Sequence, residues 1–347
     1  MNLAKGFRGG ERQTELLVRG LAEHGVEQML VARKGQPLSD TLNDVPRLRT
    51  MTTVANPFLA WYALPGCDLL HAHEAKAAHA CYMRHALSAI PYVITRRVVN
   101  APKPNGFTRR VYGRAQQVVA VSGAIASVME DYSGVHTPVI PDALGNLPVV
   151  QKNVEALAAR FGGKFLIGHI GELDNKHKGQ IYLIRAAREM QKTHPSIQFI
   201  LLGRGKDEAW LRTEAKGLEN VSFEGYVHNV GDFLSVFDMF VFPSLHEGLG
   251  STLLDAMHFG LSVVASRIDG IPELVRHGEN GLLVPPADPS ALIESIDALY
   301  SDGARRAAMG EKARAFAENY TPEIMAQRYL KLYDSLLSPG SHEEALT

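Results

Sequence analysis

Phe242-Pro243-Ser244-Leu245-His246-Glu247-Gly248-Leu249-Gly250-Ser251-Thr252-Leu253-Leu254-Asp255-Ala256-Met257 reads as a strand end, a glycine-flanked turn and the opening of a helix. The apolar run Met239–Phe242 ahead of it is a buried strand, and the helix starts near Ser251. Backbone N–H groups of residues 249–252 at such a helix start have no partner within the helix. The helix dipole adds partial positive charge at the same end, so the segment is suited to phosphate oxygens. Glu247 precedes the helix and Asp255 lies about a turn into it, and both can accept hydrogen bonds from hydroxyls. A helix with an acid near its start accounts for much of the same pattern.

Outward from this segment, short apolar runs alternate with helical patterns through most of the chain. Towards the C-terminal half the strands are Phe165–Ile170, 198–202, 221–223, Met239–Phe242, 262–265 and Gly281–Val284, with helices near 179–192, 207–217, 251–259 and 289–300. The N-terminal half repeats the scheme. Leu30-Val31-Ala32, Leu69-Leu70-His71-Ala72, Tyr92-Val93-Ile94-Thr95 and Val118-Val119-Ala120-Val121 read as buried parallel strands. Amphipathic helices over 12–24 and 76–88 end at Gly25 and just before Pro91. Strand–helix alternation means α/β layers, and two runs of it mean two doubly wound domains.

Pro138, Pro141, Gly145 and Pro148 mark the linker, placing the domains at 1–142 and 143–320. Residues 321–347 hold a final amphipathic helix, Pro322–Leu337, expected to pack back towards the first domain, and a tail. One feature breaks the scheme. Gly6-Phe7-Arg8-Gly9-Gly10 is already the glycine turn that should follow a first strand, which leaves only residues 1–5 for that strand. Either the first strand is shortened to a stub near residues 2–4, or it begins upstream of Met1.

Composition excludes several classes. With 46% hydrophobic and 21% charged residues the chain is globular rather than disordered or fibrous. Cys67 and Cys81 give no disulfide framework, no run approaches about 18 apolar residues, and no secretory apolar core opens the chain. A cytoplasmic protein is expected. The net charge of −1 conceals an asymmetry: residues 1–150 carry 16 Lys+Arg against 11 Asp+Glu, and residues 151–347 carry 20 against 26. Arg96, Arg97, Lys103, Arg109, Arg110 and Arg114 fall in a stretch without an acid. This stretch, 96–114, is either a solvated face or an attractor for an anionic acceptor or membrane surface. No nucleic-acid partner is expected, since the pI is only about 6.9. Of the 14 His, His71, His73 and His79 cluster, but neither spacing nor cysteines support zinc. No Asp-x-Asp pair occurs, so no metal and no other cofactor is expected.

The segment around Glu247 and Asp255 resembles the Glu-x7-Glu signature of the retaining glycosyltransferases of family 4, which have two facing Rossmann-like domains, the GT-B fold. Other pieces are similar in the same order. They are Gly9-Gly10-Glu11-Arg12, His71-Ala72-His73-Glu74, Val119-Ala120-Val121-Ser122, Lys178-Gly179, and Asp269-Gly270-Ile271-Pro272-Glu273 followed by Gly278-Glu279-Asn280-Gly281-Leu282-Leu283-Val284.

The resemblance implies a hexosyl or related transferase, moving a sugar from a nucleoside-diphosphate sugar, a UDP-sugar above others, to a glycan or glycolipid hydroxyl with retention. It implies work in polysaccharide or lipopolysaccharide biosynthesis of a bacterial kind, in the cytoplasm or peripherally at the inner face of a membrane. The N-terminal domain would take the acceptor and the C-terminal domain the donor. By the same resemblance Glu247 contacts the transferred sugar, Asp255 the ribose, and Lys178 neutralises the diphosphate. Gly248, Leu249, Gly250, Ser251 and Thr252 cradle it, and Gly203, Tyr226 and Val227 lie beside the base. Gly9 and Gly10 allow the backbone to approach phosphate, and His73 and Glu74 join the substrate site.

Three positions depart from the family pattern. Asp255 replaces a Glu and is roughly 1.5 Å shorter. Glu172 stands where many members carry a diphosphate-binding Arg, so it is expected to turn away. Thr95-Arg96-Arg97 stands where many carry a His, and Arg97 is either an anion-binding fork or a surface cation. Gly203 is equally readable as an ordinary strand-end glycine. The departures at Glu172 and Arg97 keep a catalytically silent scaffold open as an alternative; a nucleotide-sugar 2-epimerase on the same architecture is a second, which the signature region fits less well than transfer.

Overall fold

The computed structural model describes residues 1–53, 60–62, 64 and 66–338, with no side-chain detail for 50–53. It divides into two units, Met1–Ala143 with the segment from Tyr320 onward, and Leu144–Asn319.

The first unit runs α1 (Gly9–Glu23), β1 (Gln28–Arg33), β2 (Leu48–Thr53), β3 (Leu70–Ala72), α2 (Ala75–Ser88), β4 (Tyr92–Arg96), α3 (Gly106–Gly113), β5 (Gln117–Ala120) and α4 (Gly123–Ser133). β1 and β2 pair in parallel, as do β3, β4 and β5 in that order. β2 was not expected, and its Leu-Arg-Thr-Met-Thr-Thr sequence explains why: one partner suffices for an edge strand, so it lacks the continuous apolar run of a central one.

Between the two ribbons lie Met1 and Asn2, where the first strand was expected. Met1 N donates to His71 O at 2.6 Å, His73 N to Met1 O at 3.0 Å, and Asn2 N to Val31 O at 3.0 Å. The stub is thus Met1 and Asn2, one residue earlier than expected. Beyond it Leu3 N turns to the Glu74 carboxylate and Ala4 N to the Asn2 side chain. Beside the stub lies a cavity of about 320 Å³, lined among others by Met29, Leu30, Leu69, Leu70 and Tyr333.

The second unit runs α5 (Gln151–Phe161), β6 (Phe165–Ile170), α6 (Asn175–Lys178), α7 (Gln180–Thr193), β7 (Ile197–Leu202), α8 (Glu208–Glu214), β8 (Val221–Gly225), α9 (Val230–Leu234) and β9 (Met239–Phe242). It continues through α10 (Ser251–His258), β10 (Ser262–Ser266), α11 (Ile271–Leu274), β11 (Gly281–Val284), α12 (Pro289–Ser301) and α13 (Gly303–Ala317). All six strands are parallel, in the order β11-β10-β9-β6-β7-β8. The strand order reverses between β6 and β9, which is the dinucleotide-binding topology with its crevice at the switch point. Ile167, Phe199, Leu201, Met239, Val241 and Val264 of the sheet pack on Leu183, Ala187 and Met190 of α7 and on Leu292, Ile296 and Leu299 of α12. The apolar spacing of three and four residues in those helices produces this face.

α14 (Pro322–Leu337) returns to the first unit. Thr321 caps it and Pro322 opens it. It crosses α1 closely: a Cβ on Gly20 would lie 2.8 Å from that of Ala326, so only glycine fits there. Leu17, Leu21, Met325 and Tyr329 fill the contact above Val93 and Val119. Among the described residues no helix is long and apolar enough to cross a membrane.

Candidate active site

The loops after β6 and β9 meet at the switch point of the second unit. Lys178 ends α6, and Gly179 follows at φ +63°. A Cβ on Gly179 would stand 2.2 Å from the Pro243 carbonyl oxygen, so glycine there lets the two loops touch. Leu245 N and His246 N both donate to His177 O, at 2.8 and 3.1 Å. These contacts bring Lys178 Nζ onto Glu247 Oε2 and 5.2 Å above the Phe242 ring. α6 is anchored in turn: Asn175 N donates to Asp207, and Asp174 pairs with Lys206 at 2.9 Å and His177 at 3.1 Å.

Glu247 is followed by half-buried Gly248 and buried Leu249, and Gly250 precedes α10 at φ +90°. Gly250, at the N-cap of α10, has no side chain to cap it, and Ser251 and Thr252 open the helix half-buried. Such a start presents N–H groups to any oxygen that approaches. Asp255, further along α10, accepts the Gly145 N–H at 2.6 Å. Gly203 has a structural reason to be glycine: its φ is +138° and a Cβ would stand 1.9 Å from Gly171 O. Tyr226 is exposed, edge-on to His228, and Val227 beside it is half-buried. Glu172 is exposed.

Two further residues lie here: Asp269, quoted in the sequence only as part of the 269–273 run and given no role, and His169, which the sequence did not single out. Asp269, in the loop after β10, accepts the Glu247 N–H at 2.9 Å. His169 of β6 is fully buried, with Nδ1 3.0 Å from Val241 O. Burial pushes His169 down to about 4; the Val241 carbonyl opposes that shift and Lys178 adds to it. The contacts of neither residue are legible in spacing, because each is made with a neighbouring strand or its loop.

In the first unit, Gly9 and Gly10 begin α1. A Cβ on Gly9 would meet nothing within 4 Å, and one on Gly10 only Arg97 Cδ at 3.9 Å. Internal crowding therefore does not demand glycine at either position. Glu74 caps α2: one carboxylate oxygen takes Lys76 N, the other Ala77 N, both at 2.7 Å. His71 is held by both ring nitrogens, to Tyr333 at 2.6 Å and Thr95 at 2.7 Å.

His73 is buried with no partner for Nδ1, and burial first, then His71, drives its pKa well below the ordinary value. Arg97 is not the surface cation that its sequence allowed. Its Nε pairs with Asp142 at 2.9 Å, both side chains are about nine-tenths buried, and Nη2 has no partner. Burial works against its charge, but Asp142 outweighs it and the guanidinium stays above its usual value. Arg96 is likewise occupied, by Tyr112 and Asn100. Lys103, Arg109, Arg110 and Arg114 are exposed on and around α3.

Sequence comparison assigns both units. Residues 7–143 match the model of Glycosyltransferase Family 4, and residues 164–302 that of Glycosyl transferases group 1. The chain is 25% identical to the phosphatidyl-myo-inositol mannosyltransferase of Mycobacterium leprae, over 98% of this chain and 93% of that one. It is 26% identical to the D-inositol 3-phosphate glycosyltransferase of Corynebacterium jeikeium, over 93% and 91%. Among solved structures it superposes on Anabaena Alr3699/HepE in complex with UDP with a TM-score of 0.83 at 21% identity, covering 96% of this chain and 98% of that one. Sucrose-phosphate synthase from Thermosynechococcus elongatus gives 0.79 at 20%, covering 98% and 100%. The fold is the GT-B fold with two Rossmann-like domains, and with both family domains in place the chain belongs to the family 4 type of glycosyltransferases.

Proposed function

We propose that the enzyme moves a hexosyl group from a nucleoside-diphosphate sugar, UDP-linked above others, to an acceptor hydroxyl with retention and without a metal ion or other cofactor. The observation that carries this reading is the meeting of Lys178 and Glu247 beside the uncapped start of α10. The diphosphate would lie against residues 249–252 with Lys178 on its oxygens, and Glu247 would accept from hydroxyls of the sugar. Asp255, whose carboxylate already accepts the Gly145 N–H, would also accept from the ribose hydroxyls, and the base would lie beside Gly203, Tyr226 and Val227. As the anomeric C–O bond breaks, charge grows on the departing phosphate oxygen, where an ammonium and helix N–H groups stabilise it most. The acceptor oxygen bonds to the anomeric carbon and its proton passes to the departing phosphate. Lys178 and the helix start supply the positive charge that a metal would otherwise bring, and the sequence offers no Asp-x-Asp to hold one.

In the first unit, Gly9 and Gly10 present bare backbone at a helix start, and His73 and Arg97, each with a buried nitrogen that has no partner, would join the substrate site. The complexes of Alr3699/HepE with UDP and with UDP-glucose support a UDP-sugar donor. The names of two relatives include phosphatidyl-myo-inositol and D-inositol 3-phosphate, both phosphate-bearing. They support a phosphate-bearing acceptor, a glycan or glycolipid in this reading, which Lys103, Arg109, Arg110 and Arg114 would draw to an anionic, cytoplasmic membrane face in surface-glycan synthesis. A thermal-shift screen of UDP-, GDP- and ADP-sugars tests the donor, since ligand at 100 Kd adds about 2.7 kcal/mol of stability. Stabilisation by a UDP-sugar, and product of unchanged anomeric configuration by NMR, would support the reading. No shift with any nucleotide-sugar would refute it.

A further inference from the structure

We infer that Asp269 is a positioning residue for Glu247, an inference that rests on the donor-site reading above. β9 and β10 are parallel neighbours, so the loops that leave their C-terminal ends lie side by side. Asp269 sits in the second loop and reaches the first: its Oδ2 accepts the Glu247 N–H at 2.9 Å. The same oxygen lies 3.9 Å from His246 Nδ1, and the carboxylate is only 16% exposed. On the other side, His177 O holds Leu245 N and His246 N. The backbone that carries the Glu247 carboxylate is therefore fixed from two directions, and Asp269 supplies the one fixed by a side chain.

The backbone of Asp269 strengthens the argument. It adopts φ +48°, in the left-handed region where glycine is the residue without penalty. A glycine would satisfy the turn but leave the Glu247 amide without its carboxylate. Keeping a side chain in a conformation that disfavours side chains points to a use for that side chain, and the use visible here is the Glu247 amide. A displacement of reacting groups by even about 1 Å can cost on the order of 100-fold in rate.

The test compares Asp269→Gly, Asp269→Asn and Lys178→Ala with the unmodified protein. The substrate is whichever of UDP-glucose, UDP-galactose, UDP-N-acetylglucosamine or GDP-mannose the unmodified protein hydrolyses fastest, with release of the nucleoside diphosphate as the readout. Asp269→Gly relieves the turn while deleting the carboxylate, so its melting temperature should hold or rise. Its kcat should fall at least ten-fold with KM within about two-fold, and the Glu247 amide should lose hydrogen-exchange protection. Asp269→Asn retains an oxygen acceptor and should recover most of both. An unchanged kcat, or unchanged amide protection, in Asp269→Gly would overturn the inference. If Lys178→Ala lost activity while Asp269→Gly kept it, only this inference would fall. If Lys178→Ala kept it, the donor-site reading would fall and this inference with it.

Discussion

Lys178 and Glu247 stand 69 positions apart in sequence, yet their side chains pair across the switch point of the six-stranded sheet. Both are mostly buried, at 22% and 16% exposure. The cation that would hold the donor diphosphate is thus occupied, before any donor arrives, by the carboxylate that would hold the sugar.

That pairing has a measurable consequence. A diphosphate must draw Lys178 away from Glu247, and separating a mostly buried pair leaves the carboxylate without its cation, so the pair competes with the nucleotide. Glu247→Gln should therefore bind UDP somewhat tighter, up to about five-fold, while turnover falls by two orders of magnitude or more. Calorimetry with UDP, alongside steady-state rates, checks both halves. Weaker UDP binding in Glu247→Gln would show that the pair does not compete with the nucleotide.

The exposed cations around α3 can be tested separately from the donor site. Each Lys or Arg near an anionic surface contributes about 1 kcal/mol. That attraction fades as salt shortens the Debye length from about 10 Å at 0.1 M to about 3 Å at 1 M. Arg109→Ala/Arg110→Ala should bind vesicles containing anionic lipid on the order of ten-fold more weakly at low salt, with UDP affinity unchanged. At 1 M salt the difference should vanish. Equal vesicle binding at low salt would leave 96–114 as a solvated face.

His169 predicts a pH dependence of stability. In the unfolded chain a histidine takes its proton near pH 6.5, whereas burial holds His169 at about 4. Between those values only the unfolded state binds the proton, so stability is complete above about pH 6.5 and declines as pH falls towards about 4. The loss reaches at most about 3 kcal/mol. Urea unfolding at several pH values should show a shallower acid decline in His169→Gln than in the unmodified protein. Parallel curves would contradict the assignment.

The strands buried on both faces were legible because they are continuous apolar runs: Phe199-Ile200-Leu201-Leu202 and Met239-Phe240-Val241-Phe242 admit little else. β2 was not, since its Thr and Arg residues belong to an edge. α3 was hidden in a stretch read for its cations, where Asn105 as its cap and the spacing of Phe107, Val111 and Tyr112 were the local signals. Lys178, Glu247 and Asp255 were recognisable by motif. That Lys178 would touch Glu247 was not, because adjacency of β6 and β9 is a property of the sheet order. The same holds for Asp269, whose side chain reaches back 22 residues. Arg97 shows the converse: its identity was plain, but its burial against Asp142 depended on a partner 45 residues away.

If the switch-point site of the second unit holds a nucleoside diphosphate through Lys178, replacing that lysine in Lys178→Ala should weaken both binding and turnover. UDP affinity and the turnover of a UDP-sugar would be measured for this variant and the unmodified protein, each with and without EDTA. UDP should bind at least ten-fold more weakly to the variant and its turnover should fall by two orders of magnitude or more, with an unchanged melting temperature without ligand and no effect of EDTA on either protein. Undiminished UDP binding and turnover in Lys178→Ala, or activity in the unmodified protein that EDTA abolishes and a divalent metal restores, would contradict this reading of the site.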